Sequence, residues 1–297
     1  MKPSFREPII KVTVGMCVKN SEDTIKEALE SVVRQDFPCQ GMELVIVDGC
    51  SQDNTIGVVK DSLKETKIHT KIFRENEGLG KARQIVVENA TGEYIVWVDS
   101  DMILSEDFIK KQVQFMDQNP EVGIAKGKYG DRRTDDNTNL VATLENLEFL
   151  LNTMHEGETS SRVLATSGCI YRTKAIREID GFDPKIRGVG EDMDVENRMR
   201  NSGWKLHITS AVFYETRRNT WRSLWKEYLW HGRGNRHLFE QDREMIEIRK
   251  ILPPIAIAIE IRRVQAAYKL THRKIALFLP MHYIFKRIAW FIGFVQG

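Results

Sequence analysis

The sequence predicts an α/β fold in which a mainly parallel sheet is flanked by helices and followed by a helical tail. Three observations predict it. Apolar, β-branched runs alternate with segments of helical periodicity through the first two-thirds of the chain. Carboxylates stand at the ends of two of those runs, at Asp48 and Asp99. Charge is segregated: residues 261–297 carry seven Lys or Arg and no Asp or Glu, in a chain of 44 basic and 42 acidic residues.

The elements follow in order. Residues 12–18 are an apolar run and a first strand. Asn20 and Ser21 are capping residues, Glu22 and Asp23 suit a first helical turn, and Ile25, Ala28, Leu29, Val32 and Val33 recur at helical spacing. Residues 44–47 are a second buried strand ending at Asp48, and residues 51–54 open a helix to about 65, with Asp53 as its cap. Residues 68–73 are a third strand, 77–80 a loop, and Ala82, Ile85, Val86 and Ala90 a helix stripe. Residues 94–98 are a fourth strand ending at Asp99, and Ser105, Glu106 and Asp107 open the next helix. Sheets built this way bind ligands beyond the carboxyl ends of their strands. Cys17, Asn20, Asp48, Asp99 and Asp101 all fall there.

The middle of the chain is less regular. Residues 140–154 carry a helical stripe, 166–171 read as a strand, and Thr173 caps a short helix to 179. Residues 181–190 are a glycine-rich loop, and 191–202 a helix stopped by Gly203. Two short strands follow near 205–209 and 211–215. Residues 221–239 read as an aromatic-rich helix that Gly232 and Gly234 interrupt. The expected division is a catalytic domain over 1–245 and a basic, apolar helical tail over 246–297. In that tail Pro280 and Lys286-Arg287 break the apolar runs below the ~18 residues of a spanning helix. Trp290, Phe291 and the interleaved cations fit helices lying in a membrane interface. The other reading packs the tail on the body or on a homodimer partner.

Composition excludes several classes. A net charge of +2 is too balanced for a nucleic-acid binder. The four cysteines form no C-x-x-C pair and no zinc spacing, which suits reduced thiols in a cytoplasmic protein. Residues 1–8 have no apolar signal-peptide core.

Four clusters bear chemistry. Asp99-Ser100-Asp101 offers two carboxylates at a turn, a donor set suited to Mg²⁺ or Mn²⁺ with coordination sites left for substrate phosphates. Asp48 is placed to accept a nucleotide base N–H. Lys81 and Arg83, at a helix start after a glycine loop, face a phosphate or pair with Asp48 or Asp99. Glu191 and Asp192 open a helix, where the dipole favours ionised carboxylates, and one of them suits a general base. Further on, His231 and Arg233 lie in a cationic cluster suited to clamping a diphosphate.

In order, these blocks resemble family-2 inverting glycosyltransferases of the GT-A fold, from about residue 11 to 236. The resemblance rests on residues 12–20, ELVIVDGCSQDNT (43–55), NEGLGKARQIVVENATGEYIVWVDSD (76–101), ATSGCIYRTKAIREIDGFD (165–183) and GEDMDVENRMRNSG (190–203). It implies that Asp48 binds the base, Asp99 the ribose or base region, Asp101 the metal, that Asp192 is the base, and that His231 and Arg233 clamp the diphosphate. Cys17, Asn20, Lys81, Arg83 and Glu191 join the nucleotide-sugar site. Two departures stand out: Cys17-Val18-Lys19-Asn20 replaces the frequent Pro-x-Tyr-Asn, and Trp230-His231-Gly232-Arg233 replaces Gln-x-x-Arg-Trp. The expectation is a metal-dependent transferase on the inner face of the cell membrane, with no nucleic-acid partner, using a nucleotide-diphosphate sugar and a hydroxyl acceptor such as a lipid-linked saccharide. Transfer to a polyprenyl phosphate, a nucleotidyltransferase and a non-catalytic nucleotide-sugar-binding membrane protein are the rivals.

Overall fold

The computed structural model describes residues 10–130, 139–152, 157–158, 164–186, 188–216, 218–241, 263–269 and 271–296. The chain divides into two compact units, 1–128 with 156–215, and 129–155 with 216–297. The boundary drawn near residue 245 does not coincide with this division, because the helix at 221–241 belongs to the second unit.

The first unit is built on one mixed sheet. Its parallel half joins β1 (Val12–Val18), β2 (Met42–Asp48), β3 (His69–Arg74) and β4 (Tyr94–Trp97) in the order β3-β2-β1-β4. Every residue of β2 and β4 is buried, as a strand covered on both faces requires. Helices α1 (Ile25–Val33), α2 (Thr55–Ser62) and α3 (Leu79–Asn89) are the crossovers. Register aligns Val18 with Asp48 and Asp48 with Arg74, so the carboxyl ends of these strands form one rim.

The other half is antiparallel where its pairing is described. It contains β5 (Met102–Leu104), β6 (Val122–Tyr129), β7 (Gly157–Glu158), β8 (Cys169–Arg172) and β9 (Lys205–Glu215). β8 pairs with β4 and β6, and β9 pairs with β5 and β7. The two short strands expected near 205–215 are one strand of 11 residues. Helices α4 (Phe108–Gln118), α6 (Thr173–Glu178) and α7 (Glu191–Asn201) complete the unit. Trp97, Tyr171, Phe182 and Val86 share its core, with Trp97 edge-on to Phe182 at 5.4 Å.

The second unit contains α5 (Leu140–Asn152), α8 (Trp221–Gln241), a helical stretch at 263–269 and α9 (Leu279–Gln296), which a 3₁₀ turn at Lys274–Phe278 precedes. Leu144, Leu147, Ala267, Ala276 and Leu279 form its core. Three sequence expectations are corrected here. First, Gly232 and Gly234 do not interrupt α8. A Cβ on Gly232 would lie 2.0 Å from the Trp290 carbonyl oxygen, and one on Gly293 2.1 Å from that of Leu229. These glycines let α8 and α9 touch backbone to backbone. Second, Pro280 does not break the tail. It is the second residue of α9, where a missing N–H costs no helical bond.

Third, Lys286 is no break and no surface cation. It is 2 % exposed, with Nζ 2.7 Å from Glu145 Oε1 and 2.6 Å from Glu148 Oε2 of α5. Two carboxylates and the Tyr228 ring, 4.5 Å away, replace its water and hold its pKa far above the usual lysine value against the pull of burial. Residues 274–296 are consequently one helical segment long and apolar enough, by length and composition, to cross a membrane.

Gly293→Val is expected to force α8 from α9 and to destabilise the protein by about 1–3 kcal/mol or more in urea unfolding. Ile284→Gln, on the exposed side of α9, is expected to stay within about 0.5 kcal/mol of wild type.

Candidate active site

The rim of the parallel half collects carboxylates because each strand there ends in a polar turn. Asp48 closes β2 and is 4 % exposed. Its Oδ1 accepts the Ser51 N–H at 3.0 Å, and its Oδ2 lies 3.8 Å from Nε of Arg74. Asn20, at φ 48°, clasps the same turn: its N–H donates to Ser51 Oγ and its Oδ1 accepts the Gln52 N–H, both at 2.9 Å. Asn20 therefore shapes the turn beside Asp48. Asp53 does so from the other side, accepting the Thr55 N–H at 3.1 Å and the Glu22 N–H at 3.2 Å.

Asp99, Ser100 and Asp101 follow β4 in a half-buried turn. Asp99 Oδ2 accepts the Ser167 hydroxyl at 2.6 Å, and Ser100 Oγ donates to Ser21 Oγ at 2.9 Å. Lys81 is half-buried on the first turn of α3, and Arg83, two residues on, points inward. Gly80 admits this packing, since a Cβ there would lie 2.5 Å from the Ile186 carbonyl oxygen.

Arg83 is the hub. It is 7 % exposed, its guanidinium donates to Glu191 Oε1, and it lies over the rings of Trp97 and Phe182 at 6.0 and 5.8 Å. Glu191, Asp99, Asp192 and Cys17 all lie near enough to act on its charge. Buried so, Arg83 pairs with Glu191, where the sequence suggested Asp48 or Asp99 as the partner. Burial pushes the Cys17 thiol up to about 12, so it is a protonated, unreactive side chain at this rim.

α7 begins at Glu191 after Gly190, and its first two residues differ in burial. Glu191 is 2 % exposed, and burial pushes its carboxyl up to about 7 against the pull of Arg83, with Asp192 and Asp99 adding to the rise. Asp192 is half-buried, with Oδ1 accepting the Met193 N–H at 2.8 Å. Asp194 is tied to Arg198, which also holds the Ile179 and Gly181 carbonyls.

Ser167 and Glu196 carry no sequence signal of their own. Glu196 is fully buried and accepts the N–H groups of Leu164 and Ala165, at 2.9 Å each. Those bonds hold the segment that presents Ser167 to Asp99. Burial pushes Glu196 up to about 7 as well. His231 and Arg233 lie on α8, in the second unit. His231 Nε2 is 3.8 Å from Glu227 Oε1, and Arg233 Nη2 donates to Gln296 Oε1 at 3.0 Å.

A family model described as glycosyl transferase family 2 matches residues 13–180, which run from β1 past α6 and include the rim and its acidic turn. The chain belongs to this family. Poly(ribitol-phosphate) beta-N-acetylglucosaminyltransferase TarS of Staphylococcus aureus is 25 % identical over 285 residues, 94 % of this chain and 45 % of TarS. This family-2 chain spans about half the length of the curated relatives it matches. A solved structure of TarS residues 1–349 with UDP-GlcNAc aligns at TM-score 0.55 and 19 % identity, covering 97 % of this chain and 91 % of that one. A mannosyltransferase of Pyrobaculum calidifontis, solved with GDP-Man and Mn²⁺, aligns at TM-score 0.67 and 18 % identity, covering 96 % and 87 %. These structures show the GT-A fold.

Between about pH 4.5 and 7 the folded chain keeps protons on Glu191 and Glu196 that the unfolded chain has released. Stability therefore falls as pH rises through that window. Thermal unfolding from pH 5 to 8 is expected to show this fall, and Glu196→Gln is expected to flatten it.

Proposed function

We propose that this family-2 chain is a metal-dependent inverting glycosyltransferase, moving a sugar from a nucleotide-diphosphate sugar to an acceptor hydroxyl. One observation carries the reading: the Arg83–Glu191 pair ties the helix that presents Asp192 to the rim that presents Asp99 and Asp101. Asp48, at the end of β2, takes the nucleotide base. Asp99 and Asp101 fit a divalent cation, being half-buried hard oxygen donors at a turn. Mg²⁺ or Mn²⁺ held there supplies positive charge against the departing diphosphate. Glu145, Glu148 and His282 also lie close enough together to hold a metal, but the Lys286 ammonium already sits against both carboxylates.

Asp192 is the base of this reading. It takes the proton of an acceptor hydroxyl, whose oxygen attacks the anomeric carbon opposite the diphosphate, so a single displacement inverts configuration. An acceptor phosphate is already ionised and has no need of such a base. The UDP-GlcNAc and GDP-Man of the structural neighbours support a nucleotide-sugar donor, and the poly(ribitol-phosphate) of TarS supports a hydroxyl-bearing acceptor. We assign the acceptor to a membrane-linked saccharide or polymer and the enzyme to the inner face of the cell membrane. The basic, apolar C-terminal segment supports that placement.

Asp101→Ala, or excess chelator, is expected to abolish turnover while the melting temperature holds. Asp192→Asn is expected to lower kcat by about 10²-fold or more with nucleotide-sugar binding near wild type. Asp48→Ala is expected to do the reverse, weakening binding by about 1.5–3 kcal/mol in calorimetry. Full turnover in chelator, or in Asp192→Asn, would overturn the assignment.

A further inference from the structure

α9 has two faces of opposite character. Inward lie His282, Lys286, Trp290 and Phe294, packed against α5 and α8. Outward lie Met281, Ile284, Ile288, Phe291 and Val295, all 42–65 % exposed and spaced 3, 4, 3 and 4 residues apart. Leu277 and Phe278 extend the stripe into the preceding turn, at 64 % and 49 % exposure. The rotation that sets this face outward is fixed twice over, by the Gly232 and Gly293 contacts and by Lys286 seated between Glu145 and Glu148.

An apolar ridge of this length on a surface calls for an occupant. Lys269, Arg273 and Lys274, just before α9, are exposed, and no acidic residue follows residue 260. α8 shows a companion stripe, Arg222, Lys226, Trp230 and Arg233, all exposed at spacings of 4, 4 and 3. The two exposed faces adjoin where Arg233 meets Gln296. A second copy of this surface would bring like charges together. An anionic leaflet offers hydrocarbon to the ridge and opposite charge to its cations.

We propose that the outward face of α9 is the membrane-docking surface, seated in the interface of an anionic bilayer, with Lys269, Arg273 and Lys274 at the headgroups. The inference rests on the membrane placement proposed above and names the surface responsible. Docking in the interface leaves the inward face as it is. Crossing the bilayer with α9 alone would carry Lys286 away from both glutamates into hydrocarbon. Trp290, for which the sequence suggested an interfacial role, packs inward on Phe294, and Phe291 takes the outward place.

The experiment is sedimentation of the full chain with vesicles of phosphatidylcholine alone or mixed equally with phosphatidylglycerol, at low and high salt. Wild type is expected to bind the anionic vesicles, less so in salt. Ile288→Gln with Phe291→Gln is expected to lower partitioning roughly tenfold or more at an unchanged melting temperature. Arg273→Gln with Lys274→Gln is expected to shrink the preference for anionic vesicles. Wild-type binding by the Ile288/Phe291 variant would overturn this surface and leave the membrane placement standing. No binding by wild type at any composition would overturn both. A wild-type dimer in light scattering that the same variant splits would make a second copy the occupant.

Discussion

The site depends on a single buried ion pair, Arg83 with Glu191. α3 lies between the parallel strands β3 and β4, and α7 comes about a hundred residues later, between α6 and β9. The Arg83–Glu191 contact joins them beneath the rim. Both groups have given up water, and Trp97 and Phe182 form part of the wall around the guanidinium. Such a pair adds little stability against an apolar substitute. Removing one partner, however, strands the other charge at a cost of about 3–5 kcal/mol. What it fixes is position: the first turn of α7 can seat only where Glu191 reaches Arg83. Glu196 makes the second attachment one turn further on, through the Leu164 and Ala165 amides. Between them, these two carboxylates hold the helix start and the Ser167 segment around Asp99.

The helical unit repeats the device with the signs exchanged. There a buried cation, Lys286, is held by two carboxylates from one neighbouring helix. Glu145 and Glu148 are three residues apart, so they share one face of α5 and converge on a single point. A charge met this way sets the rotation of α9 about its axis more narrowly than apolar packing does. Hydrophobic contacts tolerate sliding, whereas an unpaired buried ammonium does not.

The parallel half was legible in the sequence because its strands are buried on both faces and its helices are amphipathic. β1 to β4 and the acids at their ends follow from periodicity and position alone. β6 was missed: its apolar stretch is short and carries Lys126 and Lys128, and only the fold shows Lys126 buried with its ammonium donating to the Leu164 carbonyl. The C-terminal region misled for the same reason. Lys286, Pro280 and Gly232 are breakers by local rules, and each is accommodated by something distant in sequence or by its place in the helix. Ser167 and Glu196 act through contacts 68 and about 30 residues away, which no spacing announces.

Adjacent carboxylates at the start of α7 end up with different chemistry because a helix turns by about 100° per residue. Glu191 faces the core, where burial lifts its carboxyl to about 7 and Arg83 engages one oxygen. Asp192 is half-buried, close enough to Arg83 and Glu191 for its charge to act on both. Only the second keeps access to solvent. The buried member still matters to it, since a proton or an arginine on Glu191 decides how much negative charge stands beside Asp192. Arg83 answers one carboxylate directly and is felt by Asp99 and Asp192. The start of α7 therefore keeps an excess of carboxylates over the one guanidinium that answers them.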